Sequence, residues 1–244
     1  MKQYNEAIKY LENMGYEQLN SLYFLKNNPT SEVYIYNEDI QNGVIIRGYD
    51  SEFYYIATNN SDFLSKFWDY LPSGHIMFSG VPIDTALKLQ KNKQLRYNNL
   101  CKVYVLTGSF LPIANNKYIV EPLVVSDAKE VDKYYTYRHE GSDEGFRHSI
   151  KTFDSSCVRI NGELAAWCLV HEDGSLGPLY TKEEFRRRGL AEIVASDLMQ
   201  KLIAKGHTPF VQIVEGNMSS LNLVSKVSAM TYTHDCDWFS LEKQ

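Results

Sequence analysis

Long apolar stretches are missing from this sequence. The longest, LAAWCLV at 164–170, falls far short of the roughly 20 residues a membrane-spanning helix needs. The first residues, MKQYNEAIKY, contain no signal-peptide apolar region, so a cytoplasmic protein with no membrane partner is expected. Paired cysteine spacing is missing as well. Cys101, Cys157, Cys168 and Cys236 are scattered, and two of them fall in apolar strand-like runs, which predicts reduced core thiols rather than a disulfide framework or a metal site. Nor is positive charge in excess: the formal net charge is −5, which argues against attraction to nucleic acid or anionic lipid as a property of the whole surface. Any cationic cluster must then act locally.

What is present is enough chain for two domains, at 244 residues. Helices are expected over 3–26 with a break at Gly15, then strand-like runs at 33–36, 43–47 and 53–57 separated by Asn, Asp and Gly turns. A helix at 61–70, a strand at 75–79, a helix at 82–89 and a strand at 95–106 follow. Gly108, Pro112 and Asn115-Asn116 mark 107–116 as a linker. Beyond it a strand is expected at 118–124, helices at 127–136 and 144–153, and strands at 156–160 and 164–170. Those two strands meet at Asn161-Gly162, a pair favoured in two-residue hairpins. Then come a strand ending in Leu179-Tyr180-Thr181, a long helix, a strand at 208–214, a helix at 219–227 and a strand at 232–241. The order strand, helix, strand, helix, strand thus occurs twice, from Phe53 and from Gly174. The fold class is α/β (α+β), a mixed central sheet flanked by helices and arranged in tandem, with halves 1–110 and 117–244.

The stretch 175–205, SLGPLYTKEEFRRRGLAEIVASDLMQKLIAK, organises the rest. Leu190, Ile193, Val194, Leu198, Met199, Leu202 and Ile203 recur at helical spacing, so one stripe of a helix is buried, and Lys201, Lys205 and Gly206 form its stop. The helix begins near Arg188 or Gly189, behind three consecutive arginines. A first helical turn carries unpaired amides and the positive end of the dipole. Gly189 puts no side chain over those amides, small Ala191 leaves room, and Arg186, Arg187 and Arg188 add charge at the rim. The expected ligand is a diphosphate.

Arg186-Arg187-Arg188-Gly189-Leu190-Ala191 resembles the (Gln/Arg)-x-x-Gly-x-(Gly/Ala) signature of the GNAT superfamily of acyl-CoA-dependent N-acyltransferases. Asn217-x-x-Ser220-x-x-Leu223-Val224-x-Lys226 is similar to the family's Asn-x-x-Ala/Ser-x-x-Leu-Tyr-x-Lys segment. The wording GPLYT, EFRRRGLA and GHTPFVQIVEGN looks most like the glycine N-acyltransferase branch, and the likeness runs from about Tyr118 to the end. The resemblance implies that residues 117–244 bind acetyl-CoA or another acyl-CoA and pass the acyl group directly to a small amine or amino acid. Residues 1–110 would be a degenerate copy, whose loop Asn59-Asn60-Ser61-Asp62 has neither the glycine nor a cation. It also implies that Leu179, Tyr180 and Thr181 pair with pantetheine, that Gly189, Leu190, Ala191 and the arginines hold diphosphate, and that Asn217 and Ser220 contact the cofactor. Lys226 could lie near the adenosine end or be solvated.

Two positions depart from the family. Val224 stands where a tyrosine usually assists the leaving thiolate, and Ser175 where the branch often has an acidic base. Candidate bases are Glu172, Glu215 and His139, with Asp173 and Glu140 close by; Glu172 and Asp173, beside Gly174 in a turn, read as solvated. Tyr135, Tyr137, Arg138 and His139 cluster where an acceptor would be recognised. Arg138 could hold a carboxylate or form a surface ion pair with Glu140 or Asp143. A non-catalytic acyl-CoA-binding or regulatory module is the alternative. No nucleic-acid partner is expected, since no aromatics alternate with the arginines. The assembly is expected to be a monomer or homodimer.

Overall fold

Strand alternation builds the first layer on both faces. In β2 (Val44–Arg47) and β3 (Phe53–Ala57) successive side chains point to opposite sides. Val44, Ile46, Tyr55 and Ala57 pack with Ala7 and Leu11 of α1 (Lys2–Met14) and Phe24 and Leu25 of α2 (Leu19–Asn27). Ile45, Tyr54 and Ile56 pack on the other side with Phe63, Leu64 and Phe67 of α3 (Ser61–Tyr70). The computed structural model describes residues 2–35, 40–48, 52–58, 60–114, 117–227 and 229–244. Tyr36 of the first expected strand, Asn59 of the expected degenerate loop and Asn115-Asn116 of the linker lie outside the described residues.

The chain divides into two compact units. The first comprises residues 1–105, 212–221 and 231–244; the second comprises 106–211 and 222–230. The expected halves, 1–110 and 117–244, are each continuous, whereas these units are not. The difference comes from strand pairing. The first unit's sheet runs β1 (Glu32–Ile35), β2, β3, β4 (Gly74–Pro82), β11 (Met230–Lys243), β5 (Gln94–Leu106), β10 (Phe210–Val214). β1 to β3 form an antiparallel meander, and β3 meets β4 in parallel. β11 is antiparallel to β4, from Cys236 opposite Pro82 to Lys243 opposite Gly74. Near the end of β11, the Lys243 ammonium donates to the carbonyls of Trp68, Asp69 and Leu71, closing the C-terminus of α3. Helix α4 (Ile83–Gln90) completes the helical layer beside α3.

The second unit has its own sheet, in the order β6 (Val120–Glu121), β7 (Ser155–Ile160), β8 (Glu163–Val170), β9 (Leu176–Thr181). All its pairings are antiparallel. β6 is shorter than the expected 118–124 because Pro122 follows it and has no amide to donate. The hairpin turn at Asn161 (φ 53°) and Gly162 (φ 82°) is left-handed at both residues, as the Asn-Gly pair predicts. A register shift between Val158 and Arg159 leaves Ala165 without an opposite residue, so Leu164 and Trp167 share a face despite their odd separation. That face packs on α5 (Ala128–Lys133) and α6 (Ser142–Thr152) through Val131, Phe146 and Ile150.

Helix α7 (Leu190–Ala204) packs along β7, β8 and β9 and buries Leu190, Val194, Leu198, Met199 and Leu202. Ile203, expected in the buried stripe, is 41% exposed. It sits at the stripe's margin in the last turn, next to Leu202, which is buried. All four cysteines are free and buried. Burial pushes the Cys157 thiol up to about 11 and the Cys168 thiol up to about 12, as for inert core thiols.

Candidate functional site

β9 is the last strand of its sheet, so one edge of its backbone is not paired within that sheet. On the other edge Leu179 lies opposite Cys168, Tyr180 opposite Trp167 and Thr181 opposite Ala166. Tyr180 is fixed by aromatic packing, stacked on Tyr134 at 4.9 Å and tilted on Trp167 at 5.3 Å. The Thr181 hydroxyl is buried and finds no hydrogen-bond partner among the described residues. Buried polar atoms are rarely left so, and this hydroxyl is available to bond a water or a ligand.

Lys182 anchors the turn that follows. Its buried ammonium lies 2.7 Å from Glu130 and 2.9 Å from Glu163. Burial alone would lower its pKa, but the two carboxylates outweigh that and hold it above the usual lysine value. A 3-10 turn over Glu183–Phe185 then leads to the arginines, which have three different roles. Arg186 bends back on its own loop: Nε donates to the Thr181 carbonyl at 3.2 Å, Nη1 approaches Glu183 at 3.4 Å, and the guanidinium covers the Tyr180 ring. Arg188 donates to the Glu184 carbonyl at 3.3 Å and lies over Phe185. The Arg187 side chain is exposed and has no hydrogen bond or ion pair to the described residues.

Arg187 (φ 60°) and Gly189 (φ 75°) are both left-handed, so the chain turns sharply twice before α7 starts. Gly189 is the N-cap, and no side chain caps the helix there. The first-turn amides are therefore open to an external acceptor, beside a flexible cationic side chain. Glu192 in that same turn would repel an anion, but the mostly exposed Lys226 pairs with it. The residues fit a diphosphate: free amides, no side chain at Gly189, one unengaged guanidinium and a neutralised carboxylate.

The expected contacts fall in both units. Leu179, Tyr180, Thr181, Arg186, Arg187, Arg188, Gly189, Leu190 and Ala191 belong to the second unit, with His139 and Glu172. Glu215, Asn217 and Ser220 belong to the first. Asn217 caps α8 (Met218–Val224), its Oδ1 accepting from the Ser220 amide at 3.1 Å. Glu215 is exposed, its amide bonded to the Leu100 carbonyl at 2.8 Å. His139 is exposed with Nδ1 3.3 Å from the Tyr137 carbonyl, and Glu172 is half-buried. Arg138 pairs with Asp132 at 3.0 Å rather than with Glu140 or Asp143. Among the described residues no group of three or more His, Cys, Asp or Glu could hold a metal, and no helix is long and apolar enough to cross a membrane.

Sequence reasoning missed the turn from His171 to Ser175. Asp173, expected to be solvated, is 1% exposed: its Oδ1 accepts from the Ser175 amide at 3.0 Å and the Ser175 hydroxyl at 2.6 Å. The turn closes through the His171 amide to the Ser175 carbonyl (2.9 Å) and the Gly174 amide to the His171 carbonyl (2.9 Å). The His171 ring lies against β9 at Gly177, where an added Cβ would come within 2.7 Å of Nε2. Burial lowers its pKa below the usual 6.5, partly offset by Asp173. No local spacing marks this turn in the sequence; it is set by the pairing of β8 with β9 on either side of it.

Known proteins bear on this site. Residues 157–238 match the family described as FR47-like protein. Across the whole chain, a Drosophila protein solved in a structural genomics programme is similar, with a TM-score of 0.79 at 16% identity, covering 98% of this chain and 96% of that one. A protein from Novosphingobium aromaticivorans described as an acetyltransferase from the GNAT family has a TM-score of 0.56 at 14% identity, covering 83% of this chain and 89% of that one. A GCN5-related N-acetyltransferase-like protein from Streptococcus suis has a TM-score of 0.50 at 12% identity, covering 87% and 88%. At such identities it is the architecture that is shared, and this chain has the GNAT superfamily fold, with mixed sheets flanked by helices and an FR47-like segment that contains the arginine loop.

Proposed function

We propose that the chain binds acetyl-CoA or another acyl-CoA through β9 and the start of α7 and passes the acyl group to the amine of a small molecule or amino acid. The observation that carries this reading is an uncapped helix start at Gly189, next to a strand edge left open in its sheet. Amides there would hold the diphosphate, Arg187 would add charge, and the backbone of Leu179 to Thr181 would pair with the pantetheine arm. The wording GPLYT and EFRRRGLA supports a glycine N-acyltransferase-like branch. A held thioester and amine react by direct attack, for which proximity and a preorganised oxyanion donor supply most of the acceleration.

Residues 1–110 read as a degenerate copy. The closed helix start at Asn60, whose Oδ1 accepts from the Asp62 and Phe63 amides, supports that reading. A second function, acyl-CoA binding without turnover, is favoured by Val224, which is buried and has no proton to give a leaving thiolate. Calorimetry with acetyl-CoA, followed by thiol release with a panel of free amino acids and primary amines, tests both. Binding with turnover supports the enzyme, binding without turnover supports the module, and no binding removes both.

A further inference from the structure

We propose that His171 is the proton acceptor for the incoming amine, seated against β9 by the absence of a side chain at Gly177. The inference rests on the acyl-transfer reading and deepens it.

Three observations converge. First, the ring position is built. The turn from 171 to 175 is tied at both ends by backbone bonds and pinned at its centre by the buried Asp173, which holds the amide and hydroxyl of Ser175. Second, the ring is placed against β9 itself. An alanine at 177 would put its Cβ 2.7 Å from Nε2 and 3.1 Å from Cδ2, so the imidazole occupies the space a side chain would need. Third, the ring makes no hydrogen bond to any described residue and meets one nearby charge, Asp173. A structural histidine in a half-buried place is normally tied by a hydrogen bond. This one is held by its surroundings and keeps its nitrogen lone pair.

Position along the strand gives that lone pair its role. Gly177 and Leu179 lie two residues apart on β9. Leu179 belongs to the segment proposed to run beside the thioester. An amine attacking there would pass its proton to Nε2 through bridging water. Because burial keeps the imidazole neutral at pH 7, the ring is ready to accept rather than donate. Its basicity is modest, which suits an α-amine of pKa about 7.7 to 8.0 better than a lysine amine of about 10.4. The same turn explains Ser175: no carboxylate is needed at that position if an imidazole already faces the strand.

The step balances as follows. The substrate ammonium gives one proton to Nε2, and the freed nitrogen pair forms the C–N bond at the thioester carbon. The C–S bond then breaks with its electron pair on sulfur. The second nitrogen proton passes to that sulfur, yielding the amide and CoA thiol, and the imidazolium returns its proton to solvent.

The test compares full-length wild type, His171→Gln and Gly177→Ala. In wild type, the C2 proton resonance that disappears in His171→Gln should titrate below 6.5 and shift when CoA is added. His171→Gln should bind CoA within threefold of wild type, lose roughly 100-fold or more in kcat, lose the acidic limb of the kcat/KM profile, and regain rate with added imidazole. Gly177→Ala, which pushes the ring off the strand, should lose about tenfold in kcat with CoA affinity kept. A His171→Gln protein with wild-type kcat and pH profile would overturn the inference and leave acyl transfer standing. So would a resonance indifferent to CoA. A wild type that binds CoA but acylates no amine would end the enzyme reading and this inference with it.

Discussion

Two helices begin in corresponding places, each after a strand and at the head of a strand, helix, strand, helix, strand run, and their first turns are finished in opposite ways. At α3 the Asn60 side chain accepts from the Asp62 and Phe63 amides at 2.9 and 3.1 Å, in the extended geometry of an N-cap. At α7 the cap is Gly189 in a left-handed conformation, with nothing on its Cα to accept from the turn. One helix satisfies its own amides. The other leaves them exposed beside Arg187 and draws an ion pair around Glu192 to remove the opposing charge. A glycine cap in place of asparagine costs only about a few tenths of a kcal/mol of helix stability, and it leaves the first turn of α7 open to an anion.

The comparison can be broken most severely by charge. Arg187→Glu with Arg188→Glu should weaken CoA binding by roughly 100-fold, about 2.8 kcal/mol, measured by calorimetry. Ser61→Glu, which adds negative charge beside Asp62 at the start of α3, should leave CoA affinity unchanged. Next in size is Gly189→Asn, which tolerates the left-handed backbone but places a side chain over the amides. A loss of about tenfold in CoA affinity, with a thermal midpoint near wild type, is expected. Asn60→Ala is the mirror experiment. Chemical denaturation should show a loss of about 1 kcal/mol with CoA binding untouched. Lys226→Ala frees Glu192 to face the phosphates; because that lysine is mostly exposed, the expected weakening is only about two- to threefold. Glu192→Gln should reverse it.

A smaller effect follows from two histidines, one in each unit. Burial holds His171 and His234 below the usual 6.5. Between their folded values and about 6.5 the unfolded chain binds more protons than the folded one, so stability is full above pH 6.5 and falls as the pH drops beneath it. Denaturant midpoints at pH 7.5 and 5.5 should differ in that direction. His171→Gln should narrow the gap.

Much of this was legible in the sequence because it is local. Helical spacing located α7, Asn161-Gly162 located the hairpin, and Gly189 behind three arginines located the open turn. What could not be read is what depends on distant partners. The pairing of β11 with β4 joins residues about 160 positions apart, and no local signal separates it from continuous halves. The arginines are identical in sequence, and only the path of the loop makes Arg186 a brace, Arg188 a lid on Phe185 and Arg187 the free charge. Asp173 looked solvated because Glu172 and Gly174 flank it, yet the tight turn folds its carboxylate onto Ser175 and away from water. Likewise His171 carries no spacing rule of its own. Its setting depends on a glycine six residues on, across the turn.

The most direct measurement follows backbone amide resonances while CoA is titrated into uniformly labelled protein. The amides of Leu190, Ala191 and Glu192 should move together and saturate with the calorimetric affinity, while those of Asp62 and Phe63 stay still. Saturable CoA binding that leaves the α7 amides unmoved, or that moves the α3 amides equally, would contradict the claim that the open helix start receives the diphosphate.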